Sequence, residues 1–431
     1  MVYLCSTELR SIVDKQGFEY YIFNPYIIKP IPHLKYESKG WFFLENFINF
    51  INSSRINEAF EGFNKLNTLI DKISPDLVII DIHKVILRTP FYQVKKIPVI
   101  SIHTTFDVKW MPNVPPITSY FIPHESKFSF YYTSILFFLA KIENHLRYIN
   151  LPIKYLWQDE LSIIGKYYKQ NFGIQLNKNI DFNRSFGYSI KNLPRMILAP
   201  TPLDFHTSVR KDTYNVGPLL EVKRENENVD SRYNYLLETI KAGKTKVYSF
   251  IVYCSMGTLA GLRRNKVDIF FRRMLKVVNL NPLFLFILAT GKSFNVEDLY
   301  PIPKNLFVFE SVPQIHLLKY CDIMITHGGA SSLAECVMNE VPMIVFPFMK
   351  QTDIPSNSAR VVFHKIGLRG NIKKDSAKKI GLKINHLKSN YDYYLGNIRE
   401  MKKKFEVKNN STEVITIIES IIENHEKNKK Q

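Results

Sequence analysis

Acidic residues are in short supply: 39 Asp and Glu stand against 58 Lys and Arg, a formal net charge of +19 over 431 residues. Such an imbalance favours an anionic partner, whether nucleic acid, anionic lipid or a phosphate-bearing substrate. Cysteine is scarce as well. Cys5, Cys254, Cys321 and Cys336 lie far apart and form no metal-type spacing. Cys254 and Cys321 sit inside apolar strand-like runs and read as buried free thiols, which fits a reducing compartment. Long apolar runs are absent too. The most apolar stretch, Phe128 to Ala140, is 13 residues interrupted by serine and threonine. That is short of the roughly 20 residues a membrane-spanning helix needs, though enough to rest on a membrane surface. No secretory signal opens MVYLCSTEL, so the expected location is cytoplasmic, with a peripheral place at the inner face of the membrane. Zinc-finger spacing and RNA-binding signatures are missing, which sets nucleic acid aside as a partner.

What remains is a chain with 45% hydrophobic residues, enough for two ordinary domains with their own cores. The first half alternates strand and helix texture. Phe63, Leu66, Leu69, Ile70 and Ile73 recur at helical spacing, then Leu77 to Asp81 and Pro98 to Ile102 read as short buried parallel strands. A proline-rich loop with Pro112, Pro115 and Pro116 precedes an aromatic region expected to be helical to about residue 170, and Met196 to Ala199 reads as the last strand of this half. The charged stretch 219–243 marks an interdomain linker. Strand texture returns at Val247–Cys254, Leu283–Leu288, Leu306–Phe309, Ile323–Ile325 and Met343–Phe346, which implies a second parallel sheet covered by helices. Asn410 to Glu413 fits a capping box for a last helix with Val414, Ile417, Ile418, Ile421 and Ile422 on one face. Two such domains imply a cleft, with ligands at the carboxyl ends of the strands.

The chemistry concentrates in residues 321–347. A strand ending at Thr326 runs into His327-Gly328-Gly329, and a helix carrying Ser331, Ser332 and Glu335 follows. Glycines admit a ligand close to the backbone, and first-turn amides with the helix dipole favour an anion. A protonatable imidazole and two hydroxyls at that point suit a diphosphate. Ser332 and Glu335 equally fit a Ser-x-x-Glu capping box with no ligand involved, and the two readings stand side by side. Asp353 follows the next strand and so belongs to the same rim, where a carboxylate accepts hydrogen bonds from sugar hydroxyls. Arg360 is open to a structural ion pair. Pro313-Gln314 and the turn Ser255-Met256-Gly257-Thr258 also fall at strand ends. Alone, that last turn is no more than a strand-to-helix connection.

Taken together, VPQ at 312–314, THGGASSLAE at 326–335, VPMIVFP at 341–347 and D-x-x-x-N at 353–357 resemble the nucleotide-sugar signature of the family 1 glycosyltransferases. The likeness is greatest to the bacterial branch that glycosylates macrolides, flavonoids and carotenoids. CSMGT at 254–258, YNVGPLL at 214–220, NSARVVFHKIGLRG at 357–370, SPDLVIID at 74–81, KIPVISIHTTF at 96–106 and VPPITSYFIP at 114–123 extend it over nearly the whole chain. The resemblance implies an α/β fold of two facing Rossmann-like domains, the GT-B type, with the first lacking its initial βα unit. It divides the chain into an acceptor-binding domain at 1–222, a linker at 223–243, a nucleotide-sugar domain at 244–400 and a carboxyl-terminal helical segment at 401–431. It assigns donor binding to Ser255, Gly257, Thr258, Gln314, His327, Gly328, Gly329, Ser331, Ser332, Glu335 and Asp353, with His327 at the diphosphate, Glu335 at the ribose and Asp353 at the sugar. It calls for no metal and no cofactor.

The implied activity is inverting transfer of a hexose from a nucleotide-diphosphate sugar, UDP-linked by expectation, to a hydroxyl of a hydrophobic small molecule or lipid. Three positions depart from the family pattern. The general-base histidine of the first strand's loop has no counterpart, because the chain begins at what resembles the second strand; Asp81 matches the carboxylate that would orient it. A carboxylate alone is a weaker base near neutral pH. His83 and His103 lie near strand ends but match no family position. Ile354 replaces a polar sugar-binding residue, and Ser311 an aromatic that would stack on the base. The missing base motivates a second reading, a donor-binding homologue acting as an interaction or helper subunit.

Overall fold

The computed structural model describes residues 1–23, 54–154, 159–206, 212–218, 231–243, 248–291, 294–408 and 411–429. The first lobe opens with β1 (Val2–Cys5) and β2 (Glu19–Ile22), a parallel pair joined through the short helix Arg10–Lys15. Its main sheet has four parallel strands in the order β3-β4-β7-β8: β3 (Val78–Asp81), β4 (Val99–His103), β7 (Arg195–Ile197) and β8 (Thr213–Asn215). A small antiparallel pair, β5 (Ile180–Asp181) and β6 (Ser189–Ile190), packs beside it. The helix Ser54–Ile73 buries Phe63, Leu66 and Ile70 against Ile80, Val85 and Phe91, as its 3.6-residue spacing requires. The aromatic region forms two helices, Lys127–Lys154 and Glu160–Phe172, the second capped by Asp159. Among the described residues no strand joins β1 to β3, although Leu4 and Phe23 pack into the same core as Ile80.

The second lobe is one six-stranded parallel sheet in the order β11-β10-β9-β12-β13-β14. Its strands are β9 (Phe250–Ser255), β10 (Phe284–Ala289), β11 (Leu306–Phe309), β12 (Ile323–Thr326), β13 (Met343–Val345) and β14 (Gly367–Arg369). Alternate residues face opposite sides, as the two-residue strand period demands. Phe250, Val252 and Cys254 pack with the helices Arg264–Leu280 and Ala377–Ser389. Ile251 and Tyr253 pack with Tyr233, Leu236 and Ile240 of the helix Ser231–Gly243 and with Leu333 and Val337 of the helix Ala330–Met338. All of β10 is buried, the mark of a strand covered on both faces. All four cysteines are buried free thiols.

The lobes share a continuous apolar core in which Phe106, Ile117, Ile197 and Leu203 join the residues beneath β9 and β12. One charge is sunk into their junction. Arg360 is fully buried; its Nη2 donates to Asp204 Oδ1 at 2.7 Å and its Nη1 to Ser356 Oγ. Its guanidinium lies 3.8 Å from the Phe106 ring centre and 4.7 Å from that of Phe205. The ion pair open in the sequence is therefore made, and it is made across the lobes. The last helix, Ser411–Lys429, returns to the first lobe, where Val414, Ile417, Ile418 and Ile421 cover Ile100, Met196 and Val216. Asn410, the first residue of the expected capping box, lies outside the described residues. No helix among the described residues is long and apolar enough to cross a membrane.

Candidate functional site

Strand order decides where the second lobe can bind. The chain runs from β9 outward through β10 to β11, then crosses to β12 on the other side of β9. The loops after β9 and β12 thus leave in opposite directions and open a crevice at the carboxyl ends of adjacent strands. Register puts Ser255 beside Thr326, so Met256-Gly257 and His327-Gly328-Gly329 meet there.

The meeting is close enough to dictate residue types. Gly257 has φ +73°, and a Cβ built on it would lie 2.3 Å from His327 Cε1. Gly328 has φ +97°, and a Cβ there would meet Val345 Cγ1 at 2.6 Å. Both positions need glycine for backbone conformation and for space. The His327 ring is held between Gly257, Gly329 (where a built Cβ would lie 2.9 Å from Nε2) and Phe348, whose ring centre is 5.8 Å away. Removal from water lowers its pKa to about 4, so near neutral pH it is a neutral imidazole. The positive ring that the sequence invited is not present, and Nδ1 is a buried nitrogen without a hydrogen-bond partner among the described residues.

Gly329 is the N-cap of the nine-residue helix Ala330–Met338, with no side-chain cap. Ser331 and Ser332 lie in its first turn, where backbone amides have no intrahelical acceptor. This sets aside the capping-box reading of Ser332 and Glu335. Ser332 is inside the helix rather than at its cap, and Glu335 turns to Gln314, whose Nε2 donates to Glu335 Oε2 at 2.5 Å and to Ser332 Oγ at 3.4 Å. Gln314 Oε1 in turn accepts from Tyr253 Oη at 3.1 Å. The Glu335 carboxylate is buried and oriented by this chain of contacts.

A second tie fixes the rim. Asn357 Nδ2 donates to the Gly328 carbonyl at 2.8 Å and to Asp353 Oδ2 at 2.9 Å, fastening the loop after β13 to the loop after β12. Burial raises the Asp353 pKa, opposed by the Asn357 hydrogen bond. Ser255 Oγ accepts from the Gly257 amide at 3.4 Å. Thr258 begins the turn Thr258–Arg263; its side chain lies outside the described residues. Asn357 entered the sequence reading only as the end of the D-x-x-x-N pattern, with no role of its own, and Tyr253 was not singled out. Tyr253 looked like strand core, and only its hydroxyl's position at the end of β9 could have marked it.

The first lobe brings less together. Asp81 ends β3, and its Oδ1 accepts from the His83 amide at 2.9 Å. His103 is fully buried, its Nε2 3.1 Å from Ser101 Oγ. Desolvation, with Arg184 and Arg195 nearby, lowers its pKa to about 2, so near neutral pH it is a neutral, fully buried imidazole. His83 is the exposed one of the two.

The chain is similar in sequence and in fold to several known proteins. The family described as erythromycin biosynthesis protein CIII-like, C-terminal domain, matches residues 285–421. The NDP-glycosyltransferase YjiC of Bacillus subtilis (strain 168) is 37% identical over 71 residues, 16% of this chain and 18% of that one. The oleandomycin glycosyltransferase of Streptomyces antibioticus is 27% identical over 153 residues, 35% of this chain and 32% of that one. The matches span 18% to 43% of the length of the first four curated relatives. In three dimensions the likeness covers nearly everything. The glycotransferase of kitacinnamycin aligns with TM-score 0.65 at 15% identity, over 98% of this chain and 91% of that one. The calicheamicin glycosyltransferase CalG4 aligns with TM-score 0.58 at 14% identity, over 98% and 90%. At such identities these structures speak for the fold.

Proposed function

We propose, for a chain that belongs to the GT-B-fold family 1 glycosyltransferases related to bacterial macrolide and UDP-sugar transferases, transfer of a hexose from a nucleotide-diphosphate sugar to a hydroxyl of a hydrophobic small molecule or lipid. The observation that carries it is the packed rim where Gly257, His327 and Gly328 meet beside the Gln314–Glu335–Ser332 network. In this reading the donor is UDP-linked and its diphosphate lies on the first-turn amides of Ala330–Met338. Gly257, Gly329, Ser331, Ser255 and Thr258 surround it, and His327 donates to it from a neutral ring. Glu335, held by Gln314, takes the ribose, and Asp353 the sugar. The region 1–222 carries the acceptor, 244–400 the donor, with 223–243 between them and 401–431 closing the fold. Work at the inner face of a cytoplasmic membrane belongs to the lipid branch of this reading.

The chemistry follows from the leaving group. An acceptor oxygen attacks C1 while the C1–O bond to the diphosphate breaks, and the configuration at C1 inverts. The acceptor proton passes to a base on the first lobe, and charge grows on the departing diphosphate. Preorganised amides, hydroxyls and an imidazole in a part-buried site stabilise that charge. Asp81 stands at the end of β3 as the matching carboxylate, with exposed His83 two residues on.

The test is calorimetric titration with UDP, followed by assay of donor hydrolysis and transfer to phenols, polyketides and lipids. Saturable UDP binding that falls about a hundredfold or more in Gly257→Ala is expected, since van der Waals overlap and φ strain act together. A folded protein with no affinity for any nucleoside diphosphate ends this reading. The helper-subunit reading is favoured by one observation, the burial of His103. It predicts nucleotide binding without turnover, and Asp81→Asn and His83→Ala variants identical to wild type.

A further inference from the structure

The helix Lys127–Lys154 is inside out. Its buried residues include Ser129, Thr133 and Asn144, each with a hydrogen-bond partner: Ser129 Oγ donates to Asn113 Oδ1 at 2.8 Å, Thr133 Oγ1 to the Phe130 carbonyl at 2.9 Å, and Asn144 Nδ2 to the Gly187 carbonyl at 2.8 Å. Phe137 is buried with them, and Lys127, Glu143, His145 and Asn150 are exposed, but most of the exposed residues are apolar. Phe128, Tyr131, Ile135, Phe138, Leu146 and Ile153 are 67%, 64%, 54%, 61%, 50% and 57% exposed and recur near a helical period. At 1.5 Å per residue they form a stripe roughly 37 Å long. A water-facing helix normally shows the opposite polarity. Contiguous apolar surface on this scale marks an interaction site.

A cation-lined cavity of about 1290 Å³ adjoins the amino end of that stripe. Its wall carries Arg263, Lys266, Lys350, Arg369, Lys373 and Lys374, and it shares the loop after β13 with the donor rim but includes neither His327, Ser332, Glu335 nor Gln314. Burial, aggravated by Arg263, Lys373 and Lys350, pulls the Lys266 pKa down. Tyr120 also lines the cavity, and Arg369 Nη1 donates to its carbonyl at 2.6 Å. The next residue, Phe121, packs its ring 4.8 Å from Tyr132, which stacks on Phe128 at 5.8 Å. Cations and apolar stripe are therefore joined through Tyr120 and Phe121.

We propose that this face docks on an anionic lipid bilayer, the stripe of Lys127–Lys154 lying in the plane of the headgroup boundary and the cavity cations meeting lipid phosphates. Charge complementarity selects this occupant. A second copy would bring the same cations against each other, and a neutral apolar ligand would leave them unanswered. The pairing of an apolar helix face with neighbouring Lys and Arg is what in-plane membrane binding requires. The docking rests on the membrane-contact part of the function proposed above and gives it a surface: an acceptor dissolved in the bilayer would reach the cleft from this side.

The experiment is co-sedimentation of the full chain with vesicles of phosphatidylcholine alone or with roughly a third phosphatidylglycerol. Binding to the anionic vesicles should exceed binding to the neutral ones by about tenfold or more, and fall about tenfold in Phe138→Ser/Leu146→Ser and in Lys350→Glu/Lys373→Glu. UDP titration of Phe138→Ser/Leu146→Ser, unchanged from wild type, shows that this variant is folded. The proposal is overturned by absence from both vesicles, by equal binding to both, by binding that either variant leaves intact, or by a dimer that the apolar variant dissolves. Vesicle binding without hexosyl transfer would keep the docking surface and remove the transferase reading; transfer without vesicle binding would do the reverse.

Discussion

The two parallel sheets of this protein are built to different standards of closure. Every residue of β10 is buried, and β9 and β12 are nearly so. In the first lobe Ile79 on β3 is 40% exposed and Ile22 on β2 is 48% exposed, and the strands fall into separate sheets of two, four and two. In the function proposed above, the difference separates two tasks. A nucleoside diphosphate is chemically constant, so a site for it rewards fixed glycines and oriented carboxylates. An acceptor-facing lobe gains from variable walls and open apolar surface.

The sharpest way to break this comparison is at the junction that lets the rigid lobe hold the other one. Asp204→Ala would strand the Arg360 guanidinium in a buried place beside Phe106 and Phe205. We expect a loss of about 3–5 kcal/mol in unfolding free energy, measured by urea denaturation. Asp204→Ala together with Arg360→Met should recover most of it, because the charge to be compensated is gone. Failure of the double variant to recover would mean that the pair, not its burial, holds the lobes.

Next in size is the closeness of the rim around His327. Gly328→Ala puts a methyl 2.6 Å from Val345 Cγ1 at a φ of +97° and pushes against the loop that Asn357 fastens. UDP affinity should drop about a hundredfold, or some 2.7 kcal/mol. Asn357→Ala, which unties the Gly328 carbonyl from Asp353, should cost about tenfold.

A more gradual effect, small at any one pH near neutrality, follows from the neutral imidazole. Folding lowers the pKa of His327 to about 4 from an ordinary 6.5. As acid is added, the unfolded chain takes its proton first, so this contribution to stability is complete above pH 6.5 and drains away as pH falls from 6.5 towards 4. His327→Asn should flatten that part of the profile by about 3 kcal/mol at its full extent. Saturating UDP should flatten it as well, since a nearby diphosphate favours the protonated ring. His103 drains in the same direction over a wider range, because its pKa is about 2, and remains as a background in the His327 variant.

Much of this was legible beforehand, and for physical reasons. Leu306–Phe309 was read as a strand and is one, and Ile323–Thr326 and Met343–Val345 differ from their expected runs by a residue. Strands buried on both faces write themselves as unbroken apolar runs. The glycines of the rim were legible because glycine beside a strand end has few other uses. The ties between elements were not. Gln314 meets Tyr253 across 61 positions and Asp204 meets Arg360 across 156, and no local pattern encodes a partner so distant. The inverted helix was half legible. Its aromatic richness was plain, but the partners that draw Ser129 and Asn144 inward come from loops at Asn113 and Gly187.

The smallest effect tests openness itself. Ile79→Ala trims a side chain that is 40% exposed on a strand with a partner on one side only among the described residues. It should change stability by about 0.5 kcal/mol or less. The matched change Ile287→Ala, on fully buried β10, should cost about 2–5 kcal/mol through lost burial and a residual cavity. Both are measured in one denaturation series. Similar losses at the two sites would mean that Ile79 is covered in solution by something beyond the described residues. The contrast between a closed second lobe and an open first lobe would then give way to two lobes of equal completeness.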